Sequence, residues 1–195
     1  MLVPRNSTCA PSNPSVMIGT ALALRPRLLI ADEPTTALDV TVQAQILESL
    51  RERCRESGTS MILVSHDLGI VAQLADRVAV MYAGRIVEEG PVQAILRAPA
   101  HPYTLGLLRA APRLGAARAA RLQDIPGGTP DLSRPIPGCA FAPRCATRED
   151  RNLTRCLGEK PPAVALGPAH RAYCWAAAQA KAASAEVASV AGENR

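Results

Sequence analysis

Three stretches of the chain combine residue types whose spacing suits chemistry. The first is Leu28-Leu29-Ile30-Ala31-Asp32-Glu33-Pro34-Thr35, an apolar run that ends in two adjacent carboxylates. Such a run reads as a strand buried on both faces of a parallel sheet. Its end would put Asp32 and Glu33 at the carboxyl edge, where open α/β sheets bind ligands. There the first carboxylate suits a Mg²⁺ held mostly through water, and the second can polarise a water for in-line attack on a γ-phosphate. An isolated Asp-Glu pair would read as two solvated acids. This pair is followed by Thr36-Ala37-Leu38-Asp39, and one strand later by the second stretch, Val64-Ser65-His66-Asp67. A histidine after the neighbouring strand can reach the same ligand, and its neutral imidazole can hydrogen-bond a phosphate oxygen or the attacking water.

The third stretch holds Cys139, Cys145, Cys156 and Cys174, separated by 5, 10 and 17 residues. None of these gaps is the short knuckle typical of structural zinc. Pro137-Gly138, Pro143-Arg144 and Pro161-Pro162 lie around them, so residues 138–175 read as an irregular segment with few large apolar side chains. Burial alone would hardly fold it, and a tetrathiolate site would supply the missing free energy. Ligand type suits Zn²⁺ and a [4Fe–4S] cluster almost equally. His170 reads as a surface histidine or a substitute ligand near Cys174, while Cys9 and Cys54 look incidental.

The elements that must position these residues follow from periodicity. Val16 to Leu24 reads as a helix closed by Arg25-Pro26. Asp39 can cap a helix on which Ile46, Leu47, Leu50 and Cys54 share a face, with Gly58 as its stop. Ser60 to Val64 is a second buried strand and Leu68 to Ala75 a short helix. Val78–Met81 and Ile86–Glu89 flank Tyr82-Ala83-Gly84-Arg85 as a hairpin, expected at an antiparallel edge of the sheet. Helical turns follow at Val92–Arg97 and Tyr103–Ala110, then a proline- and glycine-bearing connector. From Ala176 on, the chain reads as an alanine-rich helix or tail.

Composition narrows the function classes. Of the 22 basic residues in 195, only Lys160 and Lys181 are lysines, so the first half cannot hold a Gly-Lys-Ser/Thr phosphate loop. Residues 1–90 carry net −2 and residues 91–195 net +7, but the arginines are scattered and only five aromatic residues exist, which argues against a nucleic-acid platform. No stretch reads as a signal peptide or a membrane span, and a cytoplasmic setting would keep the six cysteines reduced.

From about Val16 to Trp175 the chain resembles the ATP-binding subunits of ABC transporters, and more narrowly those of the dipeptide/oligopeptide/nickel importer group. The resemblance implies an α/β fold: the C-terminal part of an ABC-type nucleotide-binding domain, a parallel sheet with helices, plus a small irregular Cys-rich extension. It implies that Asp32 is the Walker B carboxylate for Mg-ATP, Glu33 the catalytic base, Thr36 to Asp39 the D-loop that touches a partner subunit, and His66 the histidine that senses the γ-phosphate. His101-Pro102-Tyr103-Thr104 matches the start of that group's C-terminal extension. In some members the extension carries a [4Fe–4S] cluster, which favours iron–sulfur over zinc on Cys139, Cys145, Cys156 and Cys174.

The family's phosphate-cradling loop is absent from these residues, and Thr8 to Ser15 stand where its Leu-Ser-Gly-Gly signature would end. The expected organisation is therefore a disordered, unrelated leader over 1–15 and a partial ATPase domain over 16–90. A linker with short helices over 91–137, a metal or cluster module over 138–175 and an alanine-rich tail over 176–195 complete it. The expected function is an ATP-hydrolysing subunit that energises peptide or nickel import, truncated before Val16 and inactive alone. Its implied partners are a second ATPase subunit, two permeases and a substrate-binding protein at the inner face of the cell membrane, with no nucleic acid. The alternative is a non-catalytic, regulatory or vestigial iron–sulfur or zinc module on an ATPase remnant.

Overall fold

The computed structural model describes residues 14–34, 40–110 and 124–192. The chain divides into two compact units between Leu74 and Ala75.

In the first unit, α1 (Pro14–Leu22) leads into β1 (Leu28–Asp32), α2 (Val40–Ser57), β2 (Ser60–Val64) and α3 (Leu68–Leu74). β1 and β2 pair in parallel, in register from Leu28↔Ser60 to Asp32↔Val64. The helix between them ends as its sequence requires. Gly58 takes φ 69°, its N–H donates to the Arg55 carbonyl at 3.3 Å, and Thr59 N–H donates to that of Cys54 at 2.8 Å. This pair of bonds is a Schellman stop, which needs a residue that tolerates positive φ. Buried Ala31, Leu50 and Cys54 form a small core with Ile18, Leu22, Leu29, Met61 and Leu63 packed against it. The strands were expected to be covered on both faces, but only the face carrying Leu29, Ala31, Met61 and Leu63 is. On the other, Leu28 and Ile62 are each 49% exposed, Ile30 64% and Val64 47%.

The second unit opens with the hairpin of β3 (Arg77–Tyr82) and β4 (Arg85–Pro91), then α4 (Val92–Arg97) and α5 (Pro102–Ala110). Further along come a 3₁₀ turn (Ala142–Arg144), α6 (Ala146–Asp150), α7 (Arg155–Gly158), β5 (Ala163–Gly167), β6 (His170–Tyr173) and α8 (Trp175–Gly192). Ala83 and Gly84 both take positive φ, 49° and 74°, the conformation of a two-residue hairpin turn whose twist matches the strands. The four strands form one antiparallel sheet in the order β3-β4-β6-β5.

Two expectations change here. The hairpin belongs to a four-stranded sheet in which β4 pairs with β6 at Glu88↔Ala172 and Glu89↔Arg171, and among the described residues no ladder joins it to β1 or β2. Residues 138–175 are not irregular throughout, since they hold β5, β6 and two short helices. Their core is built from small side chains: Ala142, Leu153, Cys156, Val164, Ala172, Cys174, Ala176 and Ala177. A second core joins Val80, Tyr82, Val87, Ile95, Ala140 and Phe141, and Cys139 packs against both. The alanine-rich segment is helical as α8, and its first turn buries Ala176 and Ala177. Of the expected leader, residues 1–13 lie outside the described residues, and Pro14 and Ser15 begin α1.

Candidate functional site

The carboxyl ends of β1 and β2 carry one cluster. Asp32 closes β1 opposite Val64, and Glu33 extends the ladder by one bond, its N–H donating to the Val64 carbonyl at 3.0 Å. Glu33 then turns with φ 44°, in the left-handed region that a non-glycine residue occupies at a cost of about 1–3 kcal/mol. That turn brings its carboxylate to His66, with Nδ1 2.9 Å from Oε1. An ionised carboxylate only accepts, so in this contact Nδ1 carries the proton. Both side chains face solvent, 84% exposed for His66 and 45% for Glu33, so the pair is open to a ligand and adds little to stability. Asp67 fixes the loop beyond: its Oδ1 accepts the N–H of Gly69 at 2.7 Å and of Ile70 at 3.3 Å, capping α3. The structure thus joins Glu33 to His66 and sets Asp32 beside them in sequence at the same strand end. Asp39 and the rest of Thr36–Asp39 lie outside the described residues.

The four cysteines of the second unit converge. Cys139, Cys145, Cys156 and Cys174, with His101, line one cavity of about 20 Å³. Burial pushes all four thiols above their usual range, and neighbouring sulfurs add to it: Cys174 and Cys156 raise Cys139, and Cys174 and Cys139 raise Cys145. Backbone amides oppose the shift, those of Phe141 and Ala142 at Cys139, Arg148 at Cys145, and Ala177 and Ala176 at Cys174. Gly138 makes the approach possible, because a Cβ there would run into the Cys156 carbonyl oxygen and stand 2.7 Å from the Leu157 carbonyl carbon. Cys139 N–H donates to that same Cys156 carbonyl at 2.8 Å. The thiols are free. Among the described residues, however, no group of three or more His, Cys, Asp or Glu stands in metal-holding geometry, so the expected ligand set shares a cavity without forming a coordination sphere. The donor chemistry fits a thiophilic centre, and the cavity has room for one ion-sized occupant.

Sequence reasoning missed the polar network beside this cavity. Glu88, wholly buried, accepts Ala100 N–H at 2.8 Å, His101 N–H at 2.9 Å and His170 Nε2 at 2.9 Å. His170 is therefore neither a surface histidine nor a thiol substitute: it is buried on Glu88, far from the role its nearness to Cys174 suggested. His101, 1% exposed, accepts Tyr103 N–H at Nδ1, and burial lowers it to about 4 even though Glu88 pulls the other way. No spacing rule links residues 88, 101 and 170. The one sequence signal was a glutamate in an otherwise inward-facing strand position.

Residues 87–151 match the family described as the oligopeptide/dipeptide transporter, C-terminal region. The chain is 50% identical over 160 residues to the dipeptide transport ATP-binding protein DppD of Bacillus subtilis, covering 82% of this chain and 46% of that protein. It is 50% identical over 159 residues to the oligopeptide transport ATP-binding protein OppD of Mycobacterium tuberculosis, covering 82% of this chain and 25% of that one. A peptide import ATP-binding protein of Brucella ovis is 51% identical over 162 residues, with 80% and 47% covered. A solved ATP-binding cassette of an ABC transporter in its ADP conformation aligns with a TM-score of 0.42 and 24% identity over 52% of this chain and 40% of that one. Over most of its length the chain is thus similar to ATP-binding proteins of peptide transporters. Residues 87–151 carry the C-terminal region that this family model describes. It spans a quarter to a half of the length of these relatives.

Proposed function

We propose that this chain supplies the hydrolytic edge of an ATP site in a subunit that energises peptide import by an ABC transporter, with nickel as the other cargo of the importer group. The observation that carries the reading is the Glu33–His66 contact of 2.9 Å at the ends of two parallel strands. Glu33 is placed to take a proton from a water attacking the γ-phosphate. His66, bonded to it, holds that carboxylate in place and offers its remaining ring nitrogen to the phosphate. A Mg²⁺ bound with the nucleotide would neutralise developing phosphate charge, and Asp32, exposed at the strand end, fits a mostly water-mediated contact to it. Asp39 belongs to the segment that would meet a second ATPase subunit. The remaining partners of this reading are two permeases and a substrate-binding protein, and its place is the cytoplasmic face of the membrane. Among the described residues no helix is long and apolar enough to cross one.

Positioning supplies most of phosphoryl-transfer catalysis, and these 195 residues hold no lysine before Lys160 for a phosphate loop. The isolated chain is therefore expected not to turn over ATP. A Mg-ATPase assay with Glu33→Gln as the control checks this. Equal background rates support it, and turnover abolished by the substitution refutes it.

A second reading concerns residues 138–175 as a thiolate metal module, iron–sulfur or zinc. Its support is the convergence of Cys139, Cys145, Cys156 and Cys174 on one cavity with amides directed at three of the sulfurs. Metal analysis of anaerobically purified protein decides it: about four irons per chain with a brown colour indicate the cluster, and one zinc in colourless protein indicates the ion. Metal-free protein would remove the reading.

A further inference from the structure

We propose that His101 is a positioning residue for the Cys139 sulfur, directing an Nε2–H donor at it in a tautomer imposed by the backbone amide of Tyr103. The hydrogen bond stands on its own geometry. Its consequence for metal binding rests on the thiolate reading above.

The tautomer follows from one contact. Tyr103 N–H donates to His101 Nδ1 at 3.1 Å, and a nitrogen that accepts carries no proton, so the neutral ring bears its hydrogen on Nε2. Nε2 lies 4.0 Å from Cys139 Sγ, 38 residues further along the chain. The ring has no freedom to turn away. It is 1% exposed, and its centroid sits 5.9 Å from that of Phe141. Its backbone is pinned by His101 N–H to Glu88 Oε2 at 2.9 Å, beside Ala100 N–H to Oε1 at 2.8 Å. Glu88 is itself held by His170.

The direction of the proton decides the role. A nitrogen that already carries hydrogen donates rather than ligates, so His101 acts through the sulfur and is not a fifth ligand. A donor aimed at a sulfur fixes its orientation, as outer partners of metal ligands do. Cys139 also sits between the two cores of its unit, so the same contact ties the bend before α5, which carries the imidazole, to the segment that brings in the thiols.

Two measurements on the full chain test this. In metal-free protein with ¹⁵N-labelled histidine, NMR should show His101 as the neutral Nε2–H tautomer, and Cys139→Ala should shift that Nε2 signal while leaving His66 unmoved. An Nδ1–H tautomer, or a signal indifferent to Cys139→Ala, overturns the proposal. In a Zn²⁺ titration against a competing chelator, His101→Leu should weaken binding about 10–100-fold. His101→Gln, which keeps a donor near the Nε2 position, should stay close to the parent, and His101→Leu should cost nothing more in a Cys139→Ser background. Equal affinities for His101→Leu and parent, or additive losses with Cys139→Ser, refute it. A parent that binds no zinc removes the thiolate reading, and the tautomer measurement then decides the hydrogen bond alone. Far-UV circular dichroism of each variant separates these effects from unfolding.

Discussion

His170 and Glu88 meet in a 2.9 Å contact, Nε2 to Oε1, at a point where their side chains are 8% and 0% exposed. The pair joins β6 to β4, and through the second carboxylate oxygen it also holds the N–H of His101 at the start of α5. A buried carboxylate so fully satisfied specifies which segments come together. Removing one partner strands the other in a low-dielectric interior. Glu88→Ala is therefore expected to destabilise the second unit by about 3–5 kcal/mol, read as a shift in the urea midpoint. A variant as stable as the parent would show that the pair is dispensable.

His101 gives the metal-free chain a defined acid sensitivity. Burial holds it at about 4 against its ordinary 6.5. Between those values the unfolded chain takes up a proton that the folded chain refuses, so stability is fully present above pH 6.5 and falls as pH drops toward 4. The loss across that window is about 3 kcal/mol at 1.36 kcal/mol per unit. Urea unfolding at pH 7.5 and 4.5 checks it, with His101→Gln expected to flatten the difference. An unchanged slope in that variant would assign the acid sensitivity elsewhere.

Sequence reasoning read the first unit well because its signals are local. Leu28–Ala31 and Ser60–Val64 are short apolar runs, and Leu47, Leu50 and Cys54 fall on one helical face closed by Gly58. All three of those side chains are buried. The Tyr82–Arg85 turn was equally legible. The hairpin of β5 and β6 was not, because only Val164 of β5 points inward and the reversal runs through Ala169 at φ 56° rather than through a glycine turn. Prolines and cysteines dominated that stretch and hid its alternation. The network of Glu88, His101 and His170 was invisible for another reason: it is assembled by strand pairing across 82 residues, which no spacing encodes.

Gly138 is expected to be intolerant of any side chain. Its missing Cβ is what lets the Cys139 segment of the cavity lie against the backbone of Cys156 and Leu157. The obstructing atoms are main chain and have no rotamer to yield, so Gly138→Ala should cost about 1–3 kcal/mol by overpacking. Faster alkylation of the four neighbouring thiols should accompany the loss. A variant with parental stability and thiol protection would contradict the packing described.

The open face of the β1/β2 sheet, with Leu28, Ile30, Ile62 and Val64, predicts concentration-dependent self-association of the isolated chain. The double substitution Ile30→Thr, Ile62→Thr keeps β-branched side chains on the strands and reduces the apolar surface. It should lower the light scattering of concentrated samples. Scattering equal to the parent's would place the association elsewhere.

The claim that Glu33 is the base of an ATP site is tested most directly by giving it a positioned substrate. Residues 16–195 would be joined behind the N-terminal half of the Bacillus subtilis DppD to which they are 50% identical, and Mg-ATP turnover measured with and without Glu33→Gln. Glu33→Gln should lose about 10²–10⁴ in rate with nucleotide binding retained. A chimera whose Glu33→Gln form hydrolyses ATP as fast as its parent would contradict it.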